Sequence, residues 1–203
     1  MISHSELAVL AARSYCGPQS GHVALDVRYD LIPREGEVIV VMPGTHPADA
    51  LDWLRDLRAW PAVVGPIGPV HSGFGKGAAA LWPELERDLP PYGLITYTGH
   101  SLGGALAQGL AAIHAQRWRD VRFRVVTFGA PRIGFLNPWF GRLARSGLEA
   151  AEYQRTGDIV PDVPLRPLYR HPTRPTAIGA SVGDFVKNHA IARYAADLAA
   201  LNL

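Results

Sequence analysis

The stretch Thr98-Gly99-His100-Ser101-Leu102-Gly103-Gly104-Ala105-Leu106-Ala107 decides how this chain is read. It contains G-x-S-x-G, a pattern in which a serine sits on a sharp turn between a strand and a helix. Gly99 and Gly103 leave room for the two elements to pass close together while the serine oxygen projects outward. The flanks agree with that geometry. Leu94-Ile95-Thr96-Tyr97 is a β-rich run after the breaker Pro90-Pro91-Tyr92-Gly93. Leu102 to Trp118 is rich in Ala and Leu, free of proline and helical in its apolar spacing. Strand, turn and helix follow in order, so Ser101 is a candidate nucleophile.

A second match, Gly179-Ala180-Ser181-Val182-Gly183, tests the specificity of the pattern. It follows the loop-like Pro172-Thr173-Arg174-Pro175. Only Asp184, Asp197 and His189 lie beyond it as acid and base candidates, too cramped for a Ser, Asp, His order. Ser181 reads as a loop serine.

Working outward, strand-like and helix-like segments alternate. Val23 to Ile32, Glu37 to Met42, Leu94 to Tyr97, Phe123 to Phe128 and Ala151 to Thr156 read as strands. A stretch to about Tyr15, Ala48 to Arg58, Ala78 to Leu89, Leu102 to Trp118, Pro138 to Arg145 and Asn188 to Leu201 read as helices. The prolines and glycines of Pro61 to Pro69 read as a loop around the site. The expected fold is α/β, one domain over residues 1–203, with a mostly parallel central sheet and helices on both faces. Sites in such sheets form at the carboxyl ends of the strands, where Ser101 falls.

Composition narrows the function. The chain has 203 residues, 48% hydrophobic and 19% charged, with a net charge of +2, ordinary for a globular domain. No dense Lys/Arg tract supports nucleic-acid binding. Cys16 is the only cysteine, so neither an intrachain disulfide nor a cysteine-rich zinc site is expected. No metal site and no cofactor are expected. The N-terminus lacks a basic region followed by a long apolar stretch, and no apolar run reaches membrane-span length. A cytoplasmic protein is the expectation. Gly73-Phe74-Gly75-Lys76-Gly77 looks superficially like a phosphate loop, but the spacing and the Ser/Thr after the lysine are missing.

A serine hydroxyl needs a histidine to take its proton, and the histidine needs a carboxylate to orient it. After a nucleophile elbow the order is acid, then histidine. Asp158 lies just past the strand near Ala151 to Thr156, at the end where the site belongs, with Asp162 as the alternative. Asp120, Glu149 and Glu152 fall at the wrong end or inside a strand. Among the histidines, His189 begins the last helix after a loop. His114 lies on the nucleophile helix as a surface or packing residue, and His171 lies on an exposed strand or loop. The N–H of Leu102, the residue after the nucleophile, is an oxyanion donor.

Ordered blocks across the chain make it similar to the class 3 lipases, the fungal-type triacylglycerol lipases of the α/β-hydrolase fold. They are Val41-Met42-Pro43-Gly44-Thr45, Trp53-Leu54-Arg55-Asp56-Leu57, Val70-His71-Ser72-Gly73-Phe74, the Gly99 to Ala105 elbow, Thr127 to Arg132, Asp158-Ile159-Val160-Pro161, and His189 with Tyr194. The resemblance favours Asp158 over Asp162 and implies Thr45 as a second oxyanion donor. It implies that His100 makes a structural hydrogen bond, while His71 reads as a tie between loops. It also implies a carboxylic ester hydrolase acting through an acyl-enzyme, with a small-molecule or lipid ester as partner and transient contact with a lipid interface. A phospholipase A-type hydrolase is the alternative; a non-catalytic binder of an apolar ligand is disfavoured by the intact blocks. No protein partner is implied. Pro43 departs from the family, which has arginine there. The apolar stripe of Ala50, Leu51, Trp53, Leu54 and Leu57 corresponds to the lid of the resembled lipases, so Trp53, Leu54 and Leu57 become candidates for a substrate pocket or lid. A fixed helix packing the same stripe on the core is the other reading.

Overall fold

The computed structural model describes residues 1–16, 22–24, 27–44, 60–89, 93–118, 120–136 and 149–203. The helix expected over Ala48 to Arg58 and the one near Pro138 to Arg145 lie outside them.

Seven strands form the main sheet. They are β1 (His22–Ala24), β2 (Val27–Arg34), β3 (Glu37–Met42), β6 (Leu94–His100), β7 (Arg122–Phe128), β9 (Ala150–Arg155) and β11 (Thr176–Ile178), in the order β1-β2-β3-β6-β7-β9-β11. β1, β2 and β3 pair antiparallel; β3, β6, β7, β9 and β11 run parallel. Side chains alternate between the two faces with the period of a strand. Val40, Met42, Ile95, Tyr97, Phe123 and Val125 bury against α2 (Ser72–Asp88) and α3 (Leu102–Arg117). Ile39, Val41, Val126, Phe128 and Tyr153 bury against α1 (His4–Arg13) and α5 (Ile191–Ala200). The expected parallel sheet with helices on both faces is therefore present. Helix α3 is buried from Gly103 to His114, so it is covered on all sides rather than amphipathic, and its buried Gln108 and His114 are hydrogen-bonded.

Several boundaries differ from the sequence reading. Helix α2 starts at Ser72, not Ala78, and takes in Gly73, Gly75 and Gly77. These are poor helix formers, but a Cβ at Gly75 would overlap Val70 and lie 2.9 Å from Val64 Cγ2. Close packing of the helix start on its neighbours overrides propensity there. The Pro61 to Pro69 stretch is not a loop. It folds into β4 (Pro61–Val64) and β5 (Gly68–His71), which join β8 (Gly134–Phe135) and β10 (Tyr169–Arg170) in a small antiparallel sheet, order β10-β8-β5-β4. Pro61 is tolerated because it opens an edge strand. The last helix is two helices, α4 (Phe185–His189) and α5, separated by Ala190 at ψ 122°. Among the described residues no helix is long and apolar enough to cross a membrane.

Candidate active site

The carboxyl ends of the parallel strands are in register: Met42 faces Gly99, His100 faces Phe128, and Phe128 faces Tyr153. Ser101 and Asp158 follow the ends of β6 and β9 at that edge, as expected for this sheet type.

Ser101 leaves β6 at φ 57°, ψ −127° and is the N-cap of α3. A positive φ on a residue with a Cβ costs on the order of 1–3 kcal/mol. The turn is over-determined by its neighbours. Ser101 N–H donates to the Phe128 carbonyl at 3.0 Å, and its own carbonyl accepts from Ala105 N–H at 3.2 Å. A Cβ at Gly99 would lie 2.5 Å from the Gly103 carbonyl carbon, and one at Gly103 would overlap the Met42 carbonyl. Only glycine fits either place. Leu102 opens the helix, and the first N–H groups of a helix have no intrahelical partner. They face the end of β6 and carry the positive end of the helix dipole.

Asp158 follows β9 after the turn Thr156-Gly157 and is fully buried. Its Oδ2 accepts from His189 Nδ1 at 2.8 Å and from the Tyr194 hydroxyl at 2.5 Å, and its Oδ1 accepts from Val160 N–H at 2.9 Å. Tyr194 stays a phenol, since burial and then the Asp158 charge push its pKa well above the usual tyrosine value. Asp162, the alternative acid, is mostly exposed and pairs with Arg132 at 2.9 Å. His189 is buried at the end of α4. Because Nδ1 faces a carboxylate, it carries the proton, and the neutral ring leaves Nε2 as an acceptor. Ser101 Oγ and His189 Nε2 are both buried and make no hydrogen bond among the described residues. Catalytic hydrogen bonds are often loose before substrate binds.

His100 brackets the same histidine from behind. Its Nε2–H donates to the His189 carbonyl at 2.7 Å, so Nδ1 accepts from the Tyr15 hydroxyl at 2.6 Å. The two imidazoles lie 4.4 Å apart. Burial, then the neighbouring His189, drives the His100 pKa well below the usual histidine value, so it stays neutral. Gly129, at φ 58°, packs over this group: a Cβ there would sit 3.0 Å from Asp158 Oδ2 and Tyr194 OH and 3.1 Å from His189 Cε1.

The other candidates go elsewhere. His114 is buried and bonds the Tyr97 hydroxyl at 2.9 Å; burial lowers its pKa to about 4. His171 is not exposed, because its ring is held between Glu152 Oε2 at 2.6 Å and the Pro161 carbonyl at 2.8 Å. Its side chain braces the loop that carries Asp158. His71 is buried, stacked on Phe74 at 4.2 Å. Ser181 accepts from Asn188 Nδ2 and Gly183 N–H in a loop. Thr45, Trp53, Leu54 and Leu57 lie outside the described residues.

Sequence reasoning missed Arg155 and Tyr15. Arg155 is buried and reaches Asp197 at 2.5 Å, the Ala180 carbonyl at 3.0 Å and Asn188 Oδ1 at 3.3 Å. It thereby fixes the loop that delivers His189. Arg155 closes a strand that already carries Glu152 and Gln154, so its sequence offered no distinct signal.

The chain matches the family model for Lipase (class 3) over residues 39–167. It is 33% identical over 183 residues to phospholipase A(1) DAD1, chloroplastic, of Arabidopsis thaliana, covering 75% of this chain. It is 27% identical over 209 residues to the secreted mono- and diacylglycerol lipase MDL2 of Malassezia globosa, covering 83% of this chain. The chain spans 40% of the length of the Arabidopsis relative and 66% of the Malassezia one. In fold it is similar to the triacylglyceride lipase of Rhizomucor miehei, with a TM-score of 0.68 at 22% identity over 83% of this chain and 76% of that one. The elbow, the parallel sheet and the matched residues agree: the chain belongs to the class 3 lipase family.

Proposed function

We propose that the protein is a serine carboxylic ester hydrolase of the lipase or esterase type, with Ser101 as nucleophile, His189 as base and Asp158 as the carboxylate that orients it. The observation that carries this reading is the His189 ring. It donates from Nδ1 to a buried carboxylate and keeps Nε2 free in a buried site beside the Ser101 elbow. His189 Nε2 takes the Ser101 proton as Oγ attacks the ester carbonyl. Asp158 stabilises the imidazolium that forms. The tetrahedral oxyanion is held by the Leu102 N–H and by Thr45, each such donor contributing about 3 kcal/mol to the transition state. His189 then protonates the leaving alcohol, and water repeats the sequence on the acyl-enzyme. Trp53, Leu54 and Leu57 supply apolar surface for the acyl chain or a lid over it. The substrate is a small-molecule or lipid ester.

The chain acts as one domain over residues 1–203. The packing of α1 on α5, closed by Ser5 N–H donating to the Leu203 carbonyl at 2.9 Å, supports this. A phospholipase A reading is kept for one reason: the Arabidopsis relative, 33% identical, carries that name.

Hydrolysis of chromogenic esters of graded acyl length, alongside phospholipids with either acyl ester labelled, tests the proposal. Turnover that disappears in Ser101→Ala is expected. Absence of turnover on every ester would contradict it, and preference for phospholipid would select the second reading.

A further inference from the structure

Between Asp162 and Asp184 the chain carries Arg166, Arg170 and Arg174 and no acidic residue. The three arginines line one cavity of about 490 Å³, with Pro167, His171 and Thr173 among its walls. All three are exposed, and none of their guanidinium groups has an ion pair or hydrogen bond among the described residues. By contrast, Arg124, Arg132 and Arg155 are each matched to a carboxylate. Three like charges around one opening leave a positive potential that an anion lowers and that salt screens.

Part of the wall is tied into the fold. Arg170 lies on β10, paired to β8. Buried Tyr169 packs its ring on Phe135 at 5.1 Å. His171 and the Thr173 N–H are both fixed to Glu152. Glu152 does not serve the arginines, because its oxygens already accept from His171, Thr173 N–H and Gln108. Exposed leucines stand beside the lining residues in sequence. Leu165 and Leu168 are exposed, and Leu136, also exposed, donates its N–H to the Leu168 carbonyl.

We infer that this cavity is an anion-binding site for a phosphoryl group, gripped by Arg166, Arg170 and Arg174, with exposed Leu165 and Leu168, their neighbours in sequence, available to the remainder of an amphiphile. Guanidinium forks match tetrahedral oxyanions two bonds at a time. The site is separate from the Ser101 centre and does not depend on ester hydrolysis.

The full chain is tested with two probes, inorganic phosphate followed by NMR and phosphatidylglycerol vesicles followed by co-sedimentation. Phosphatidylcholine vesicles serve as the uncharged control. Arg166→Gln, Arg170→Gln and Arg174→Gln are combined in one variant. Binding to at least one anionic probe is expected, weakening with added salt and falling roughly a hundredfold in the triple variant. Turnover of a soluble short-chain ester by that variant stays as in the wild type, which separates this site from the catalytic proposal. Vesicle binding alone assigns a lipid head group, and phosphate binding alone a soluble phosphoryl compound; either supports the site. No binding of either probe, or equal binding by the triple variant, overturns it. If the triple variant does not fold, Arg170→Gln alone decides, with an expected loss of roughly fivefold.

Discussion

His100 Nε2 donates a hydrogen bond of 2.7 Å to the main-chain carbonyl of His189. The residue before the candidate nucleophile thus holds the backbone of the candidate base, across 89 positions of sequence. The bond is buried, so losing the donor leaves a carbonyl unsatisfied at a cost of about 1–3 kcal/mol. His100→Phe is therefore expected to lower kcat about tenfold or more with little change in KM, since substrate binding is untouched while the imidazole loses its register. Steady-state kinetics on a soluble ester checks this; an unchanged kcat would mean that His189 is held well enough without it.

Asp158 and Asp162 lie four residues apart but in opposite settings, one buried on His189 and one exposed on Arg132. Asp158→Asn is expected to reduce kcat by roughly four orders of magnitude, as for other triads that lose the orienting carboxylate. Asp162→Asn is expected to stay within a few-fold of wild type and to cost a few tenths of a kcal/mol to about 1 kcal/mol of stability. Parallel kinetics and urea midpoints separate the two.

A Cβ at Gly129 would crowd Asp158, Tyr194 and His189 at 3.0–3.1 Å, and its φ is 58°. Gly129→Ala is expected to press on Asp158, Tyr194 and His189 together. A loss of activity out of proportion to a stability loss of about 1–3 kcal/mol is the expected signature. Wild-type kcat in this variant would mean that the triad tolerates displacement.

His114 predicts part of the acid sensitivity. Its folded pKa, about 4, is below that of an unfolded histidine. Below about pH 6.5 the unfolded chain therefore binds a proton that the folded chain does not. Stability present above that pH declines as pH falls toward 4 and declines no further below it, by up to about 3 kcal/mol. Buried neutral His100 acts in the same direction. Urea midpoints from pH 7.5 to 4 should fall more steeply in the wild type than in His114→Phe; parallel slopes would contradict the assignment.

Much of this site could be read from local sequence. Elbow, acid and histidine each sit at the end of a periodic segment, so strand and helix signals narrowed the candidates to one edge, while the choice of Asp158 over Asp162 rested on the family resemblance. What escaped depended on tertiary contact. The Gly-rich start of α2 forms because Val64 and Val70 press on it, which propensity does not record. The Pro61 to Pro69 strands form because β8 and β10, from distant parts of the chain, complete their sheet. His171 reads as exposed until Glu152, nineteen positions earlier, is seen to bury against it. The break at Ala190 cannot be seen in an Ala- and Leu-rich run. It arises where Arg155 fixes Asn188 while α5 packs on α1.

The central claim, that Ser101 is an activated nucleophile, is tested most directly by treating the protein with an alkyl phosphonate ester and locating the adduct by peptide mass spectrometry. A single adduct on Ser101 is expected, absent from Ser101→Ala and forming far more slowly in His189→Ala. An adduct on Ser181, or none on the active protein, would contradict the account.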